Sequence, residues 1–199
     1  MYREPLPHRQ HSDRPVQARF KQLACAVLSL WMMVFAASAL AEPTPADSAT
    51  LRASRVAQVV HGILSYARWP QPPQPLRLCV IAPTEYADLL WQNHELESHQ
   101  PVEAKRLLVE NPNLETDCDA VYLGVVEDSQ RQALFKRLIG KPILTISESS
   151  QDCSDGSLFC LNISDDHVGF NINLDAVARS GIRIHPNVLK LGQHAGSPE

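Results

Sequence analysis

Residues 118–125 read Cys-Asp-Ala-Val-Tyr-Leu-Gly-Val, and after its first two residues the run is apolar on both faces. This composition is typical of a strand at the centre of a parallel sheet, where helices cover both sides. Asp128 and Ser129 then offer caps for a helix that Gly140 stops, and residues 142–146 predict the next strand. A strand–helix–strand unit of this kind predicts a right-handed crossover between parallel neighbours.

The chain before this unit predicts further elements of the same sheet. From Ser48 to Ala67 apolar residues recur with the period of an amphipathic helix. Residues 76–81 predict a strand, residues 85–91 a helix and residues 104–109 another strand. Strands that alternate with helices in this way indicate a mainly parallel sheet.

The chain after this unit changes character. Residues 158–161 and 167–174 are strand-like and close in sequence, which predicts an antiparallel pair. Residues 175–180 predict a helix ended by Gly181, and residues 186–191 a last helical turn. The predicted fold class is therefore α/β: a single-domain helix–sheet–helix sandwich whose mainly parallel sheet carries a C-terminal antiparallel strand pair.

The N-terminus has the three parts of a secretory signal. Arg19 and Lys21 precede an apolar run at 23–37, and Ala39-Leu40-Ala41 offers small residues before a cleavage point. A retained membrane anchor is the alternative, although a membrane helix needs roughly 20 apolar residues. We expect a signal peptide at 1–41, a linker at 42–50, one α/β domain at 51–192 and a flexible tail at 193–199.

Charge and cysteine content indicate an exported, acidic domain. The chain has 18 basic and 22 acidic residues; residues 1–41 hold 5 and 2 of them, which leaves 13 and 20 and a formal charge of −7. This balance argues against nucleic acid as a partner. Four cysteines remain after cleavage, namely Cys79, Cys118, Cys153 and Cys160, and four cysteines allow three pairings.

A disulfide framework is the preferred interpretation of these cysteines. Residues 154–157 form a turn-rich stretch that can bring Cys153 and Cys160 together, and this pairing leaves Cys79 with Cys118. A redox site or a metal site is the alternative, but the sequence has no Cys-x-x-Cys and no Cys/His cluster at ligand spacing.

The sequence shows no assembled catalytic set. The run Gly140-Lys141-Pro142 lacks the rest of a phosphate-binding loop, and no Gly-x-Ser-x-Gly occurs. Asp165-Asp166-His167 is typical of a solvated turn, and His61, among apolar helix positions, of a hydrogen-bonded packing histidine. A binding protein is therefore favoured over an enzyme such as a thiol oxidoreductase, and we expect no metal and no cofactor.

Several segments together resemble the YfiR family of periplasmic repressors. They are Tyr66-Ala67-Arg68-Trp69-Pro70, Leu76-Arg77-Leu78-Cys79-Val80, Cys118 before its apolar strand, Gly140-Lys141-Pro142-Ile143-Leu144-Thr145-Ile146-Ser147, Val168-Gly169-Phe170-Asn171-Ile172-Asn173-Leu174 and Ala176-Val177-Ala178-Arg179-Ser180-Gly181-Ile182-Arg183-Ile184. The resemblance covers roughly residues 52–191, and its last two motifs are the most specific.

The resemblance implies a periplasmic homodimer that binds the periplasmic sensor domain of an inner-membrane diguanylate cyclase and holds it inactive. An OmpA-like, peptidoglycan-binding outer-membrane lipoprotein would sequester the repressor and restore cyclic di-GMP synthesis. A periplasmic regulator that binds a small molecule is the alternative.

The resemblance also implies roles for individual residues. The family's disulfide cysteines match Cys79, Cys118, Cys153 and Cys160. Positions associated with partner binding match Ser154 and Arg179. At Asn171 relatives often carry an acidic side chain, so the amide here can donate and accept hydrogen bonds but cannot form an ion pair.

Overall fold

The computed structural model describes residues 45–92, 94–96, 99–148, 153–154 and 156–194. Helix α1 spans Pro45–Tyr66 and leads directly into the short strand β1, Ala67–Arg68. The expected signal peptide at 1–41 lies outside the described residues. Among the helices within them, none is both long and apolar enough to cross a membrane.

The remaining elements follow in chain order. After β1, the chain forms β2 (Leu76–Ile81), a 3₁₀ turn (Asp88–Trp91), β3 (His94–Glu95), β4 (Pro101–Leu107), α2 (Leu114–Asp117) and β5 (Ala120–Leu123). It continues with α3 (Asp128–Leu138), β6 (Leu144–Ser147), β7 (Phe159–Ile163), β8 (Val168–Ile172) and α4 (Leu174–Ser180). The chain then forms β9 (Arg183–Ile184), a second 3₁₀ turn (Pro186–Lys190) and α5 (Leu191–His194).

Seven strands form one sheet in the order β3-β4-β2-β5-β6-β7-β8. The pairs from β4 to β7 are parallel, whereas β3 and β8 run antiparallel to their neighbours at the two edges. The predicted mainly parallel sheet with a C-terminal antiparallel pair is therefore confirmed.

Two apolar layers cover the sheet, because successive side chains of a strand point to opposite faces. On one face, Leu78 and Tyr122 pack with α1. On the other, Cys79 and Val121 pack with α3. All four side chains are fully buried, as the apolar composition of both strands predicts. This arrangement confirms the predicted helix–sheet–helix sandwich.

The helix predicted at residues 85–91 is wrong in its first half, where the structure has only the 3₁₀ turn that begins at Asp88. The backbone amides of Glu85 and Tyr86 donate to the carboxylate of Glu148 across the molecule. This long-range contact fixes both amides at Glu148. The cap of α3 also differs: it is Glu127, paired with Gln130 in a capping box, rather than Asp128 or Ser129.

Helices extend beyond the predicted domain bounds at both ends. Residues 45–50, assigned to the linker at 42–50, form the first turns of α1, with Pro45 at a helix start, where a proline is favoured. Strand β9 pairs antiparallel with β1, a contact that neither two-residue strand signals locally. Helix α5 continues to His194, inside the tail expected at 193–199, and residues 195–199 lie outside the described part.

Candidate functional site

Ser154 and Arg179, distant in sequence, line one pocket of about 280 Å³, here called the Ser154–Arg179 pocket. Its walls come from the C-terminal half of α3, the turn after it, the loop before β7 and one side of α4. Phe135 is buried at its base, where its ring lies against Gly156. Two of the three residues expected to bind a partner therefore share one surface.

The rim of this pocket is basic. Lys136, Lys141 and Arg179 are exposed and line it, and no acidic side chain of the described residues does. Arg179 is paired with Asp175 one turn earlier on α4, and Lys141 Nζ lies 3.6 Å from Glu115 Oε2. These two pairs offset part of the positive charge of the rim, and ion pairs this close to solvent contribute little to stability.

An apolar side chain stands beside these cations. Ile139 follows the last residue of α3, lines the pocket and is 66% exposed. Gly140 follows it with φ 73°, a left-handed conformation that glycine adopts without strain. The turn thus holds Ile139 outward, and the pocket combines an apolar contact with positive charge.

The Cys153–Cys160 disulfide connects Asn171 to this pocket. The four cysteines form two bridges, Cys79–Cys118 and Cys153–Cys160. Asn171 pairs with Cys160 across β7 and β8, its side chain is exposed, and its carbonyl oxygen lies 3.7 Å from Cys153 Sγ. Asn171 does not line the pocket itself; it lies next to the bridge whose loop supplies Ser154.

Asn173 is a positioning residue that the sequence analysis missed. Its Nδ2 donates to the Cys153 carbonyl oxygen at 2.9 Å, and its Oδ1 accepts from the Ala176 amide at 2.9 Å as the N-cap of α4. One amide side chain thus joins the loop of Ser154 to the helix of Arg179. An asparagine directly before a helical segment is a capping signal that could have indicated half of this role.

Parallel sheets commonly bind ligands at the carboxyl ends of their strands. On the α1 side of this sheet, the side chain of Glu148 fills that position. The Glu148 carboxylate accepts hydrogen bonds from the amides of Glu85 and Tyr86 and from the Tyr122 hydroxyl, which lies 2.9 Å from Oε1. Burial raises the pKa of Glu148, and these bonds act in the opposite direction. The protein's own carboxylate therefore occupies the amide donors that a bound anion would need.

His61 is not the hydrogen-bonded packing histidine that the sequence predicts. Its ring stacks on that of His94 with centroids 3.8 Å apart, and its buried Nε2 has no hydrogen-bond partner among the described residues. Burial, and secondarily the charge of His94, lowers its pKa to about 4. Parallel stacked rings direct their lone pairs side by side, so this pair is not arranged to chelate one ion.

The described residues contain no group of three or more His, Cys, Asp or Glu side chains placed to hold a metal ion. The two disulfide bridges engage Cys79, Cys118, Cys153 and Cys160, so none of these is a free thiol in this structure. What the arrangement offers is a shaped surface: an apolar base, a basic rim and a disulfide-tied loop.

Comparison with known protein families bears on the whole described domain. A family model described as YfiR/HmsC-like matches residues 53–193, from α1 into α5 and across the whole sheet. The matched region contains Ser154, Asn171 and Arg179 as well as both disulfide bridges.

Proposed function

This chain belongs to the YfiR/HmsC-like family, whose members are non-catalytic periplasmic regulators of diguanylate cyclases, and from that premise we propose how it acts. It is exported by a signal peptide at 1–41 and works in the periplasm as a homodimer. It binds the periplasmic sensor domain of an inner-membrane diguanylate cyclase and represses cyclic di-GMP synthesis.

The observation that supports this proposal is the convergence of Ser154 and Arg179 on one basic pocket. The pocket volume of about 280 Å³ is enough for one or two inserted side chains of a partner. The charges of Lys136, Lys141 and Arg179 favour a partner surface that is acidic around an apolar side chain.

Repression follows from differential binding. A regulator shifts its partner toward the inactive state only if it binds that state more tightly than the active one. A shift from almost fully active to almost fully inactive requires a ratio of affinities of about 10⁴. An OmpA-like, peptidoglycan-binding outer-membrane lipoprotein relieves repression by competing for the repressor, with Asn171 beside the disulfide-tied loop as part of the contact.

Deletion of the gene tests this function. We expect cyclic di-GMP to rise in the deletion strain, and to return to its original level when the partner cyclase is also deleted. Complementation with the intact chain should restore repression, whereas complementation with Arg179→Glu should not. Unchanged cyclic di-GMP in the deletion strain would contradict the proposal.

The alternative, a regulator that responds to a small molecule, has a separate test. Calorimetry of the purified protein against pooled periplasmic metabolites would then show saturable binding that Arg179→Glu abolishes, in the absence of any membrane protein. Saturable binding together with unchanged cyclic di-GMP in the deletion strain would favour this alternative over the repressor.

A further inference from the structure

A second surface lies at the opposite end of α3 from the Ser154–Arg179 pocket. Here the chain leaves the carboxyl ends of β4, β2 and β5, and the loops after them enclose a groove of about 440 Å³. It is lined by Ala82 and Pro83, by residues 108–110, by residues 125–128 and by Gln130, and is called the strand-end groove below.

The topology gives this position its significance. Strand β2 connects forward to β4 on one side of it, and the chain returns to β5 on its other side, so the strand order reverses at β2. In open α/β sheets ligands bind outside the carboxyl ends of the strands at such a reversal. At the carboxyl ends of these strands, Glu148 fills the space on the α1 side. The strand-end groove lies open on the α3 side.

The groove exposes two large apolar side chains, Leu108 at 74% and Val125 at 57% exposure. Exposed apolar side chains scattered singly are ordinary, whereas Leu108 and Val125 line one concave surface, where one apolar side chain of a partner can cover both. Their backbone is held in place: the Val125 amide donates to the Pro83 carbonyl oxygen at 2.8 Å, and the Leu108 carbonyl accepts from Asn111 at 3.1 Å. The apolar pair is therefore presented by an ordered backbone.

The charge of the groove selects the chemistry of its occupant. Its charged lining residues are Glu110, Glu127 and Asp128, and no lysine or arginine of the described residues lines it. Arg131 pairs with Asp128, Gln130 donates to Glu110, and Glu127 takes part in the capping box of α3. These contacts leave carboxylate acceptors available, since each carboxylate has about four lone-pair sites. A positively charged partner is attracted here, whereas the Ser154–Arg179 pocket repels it.

We propose that the strand-end groove is a second docking surface, and that it takes a segment of a partner protein in which an apolar side chain is flanked by lysine or arginine. The apolar side chain covers Leu108 and Val125, and the flanking cations meet the carboxylates. The proposal does not depend on the identity of the partner at the basic pocket, and one repressor can therefore contact two chemically opposite surfaces.

The test uses synthetic peptides of alternating lysine and leucine, with a glutamate–leucine peptide as the charge control. Amide shifts of the purified, isotope-labelled protein should move around Leu108, Gly124 and Val125 with the lysine peptide, at much lower concentration than with the glutamate peptide. Shifts scattered over the surface, equal response to both peptides, or no response at millimolar peptide would overturn the proposal.

Matched variants locate the contact. The double variant Leu108→Ser/Val125→Ser should weaken binding of the lysine peptide about ten-fold or more, because the apolar contact is lost. Leu189→Ser removes a side chain of similar exposure, 59%, outside the groove and should leave binding unchanged. Equal weakening by both changes would refute docking in the groove. Arg179→Glu should not weaken peptide binding, so failure at this groove is distinguishable from failure of the repressor proposal.

Discussion

The two disulfide bridges should contribute unequally to stability, because they close loops of very different length. Cys79 and Cys118 are separated by 39 positions, and Cys153 and Cys160 by 7. When only the restriction of the unfolded chain is considered, the long loop contributes about 4 kcal/mol and the short one about 2.5 kcal/mol. The difference of about 1.5 kcal/mol is the quantity to measure.

Paired alanine variants isolate this difference. All four cysteines are buried, so Cys79→Ala/Cys118→Ala and Cys153→Ala/Cys160→Ala remove similar apolar volume. Alanine is preferable to serine, because a serine would bury an additional hydroxyl. Urea unfolding followed by circular dichroism should give a larger loss of unfolding free energy for the first pair than for the second.

The same variants separate stability from recognition. Loss of the Cys153–Cys160 bridge should release the loop that carries Ser154 and weaken partner binding, although it costs less stability. Loss of the Cys79–Cys118 bridge, which lies in the core under α3, should cost more stability and leave the binding of the folded protein largely intact. Equal stability losses, or a larger loss from the short loop, would refute the reasoning.

Three further changes have expected outcomes. Asn173→Ala should lower the unfolding free energy by about 1 kcal/mol through loss of the α4 cap. It should also weaken partner binding more than the control Asn162→Ala on β7. Urea unfolding unaltered by Asn173→Ala would contradict the capping role. The raised pKa of Glu148 means that the folded state binds the carboxyl proton more tightly than the unfolded state does. The unfolding free energy relative to Glu148→Gln should therefore fall as pH rises from about 4.5, as measured by urea unfolding across pH. A difference in unfolding free energy that stays constant with pH would be evidence against this. Burial lowers the pKa of His61 from 6.5 to about 4, so the folded state resists protonation of this ring. The unfolding free energy relative to His61→Phe should therefore fall by about 3 kcal/mol as pH falls across that interval. Unfolding free energies of the two proteins that change in parallel with pH would disprove the effect of burial.

The helix and strand layers of this fold are predictable from sequence because they depend on the local periodicity of apolar residues. Strand β5 is apolar at every position and lies at the centre of the sheet, and Gly140 and Gly181 end their helices in the left-handed conformation. Such signals depend on a few neighbouring residues and elementary geometry. The same holds for the antiparallel pair of β7 and β8, whose connection is short.

Long-range contacts account for what the sequence did not predict. Glu148 binds the amides of Glu85 and Tyr86 from a position far along the chain, and no local feature of the segment 85–91 signals this contact. The pairing of β1 with β9 depends on the whole domain being folded. For the site, motifs identify Ser154 and Arg179 individually, but only the packing of α3 and α4 around the loop shows that they share a pocket.

We propose that the basic Ser154–Arg179 pocket recognises the periplasmic domain of a diguanylate cyclase. The most direct measurement is the affinity of the purified protein for that domain, compared between the original chain and Arg179→Glu, with Arg106→Glu on the distant strand β4 as the charge-matched control. We expect binding by the original chain and by the control, and a loss of about ten-fold or more for Arg179→Glu. Equal affinity of all three proteins, or no binding by any of them, would contradict the account.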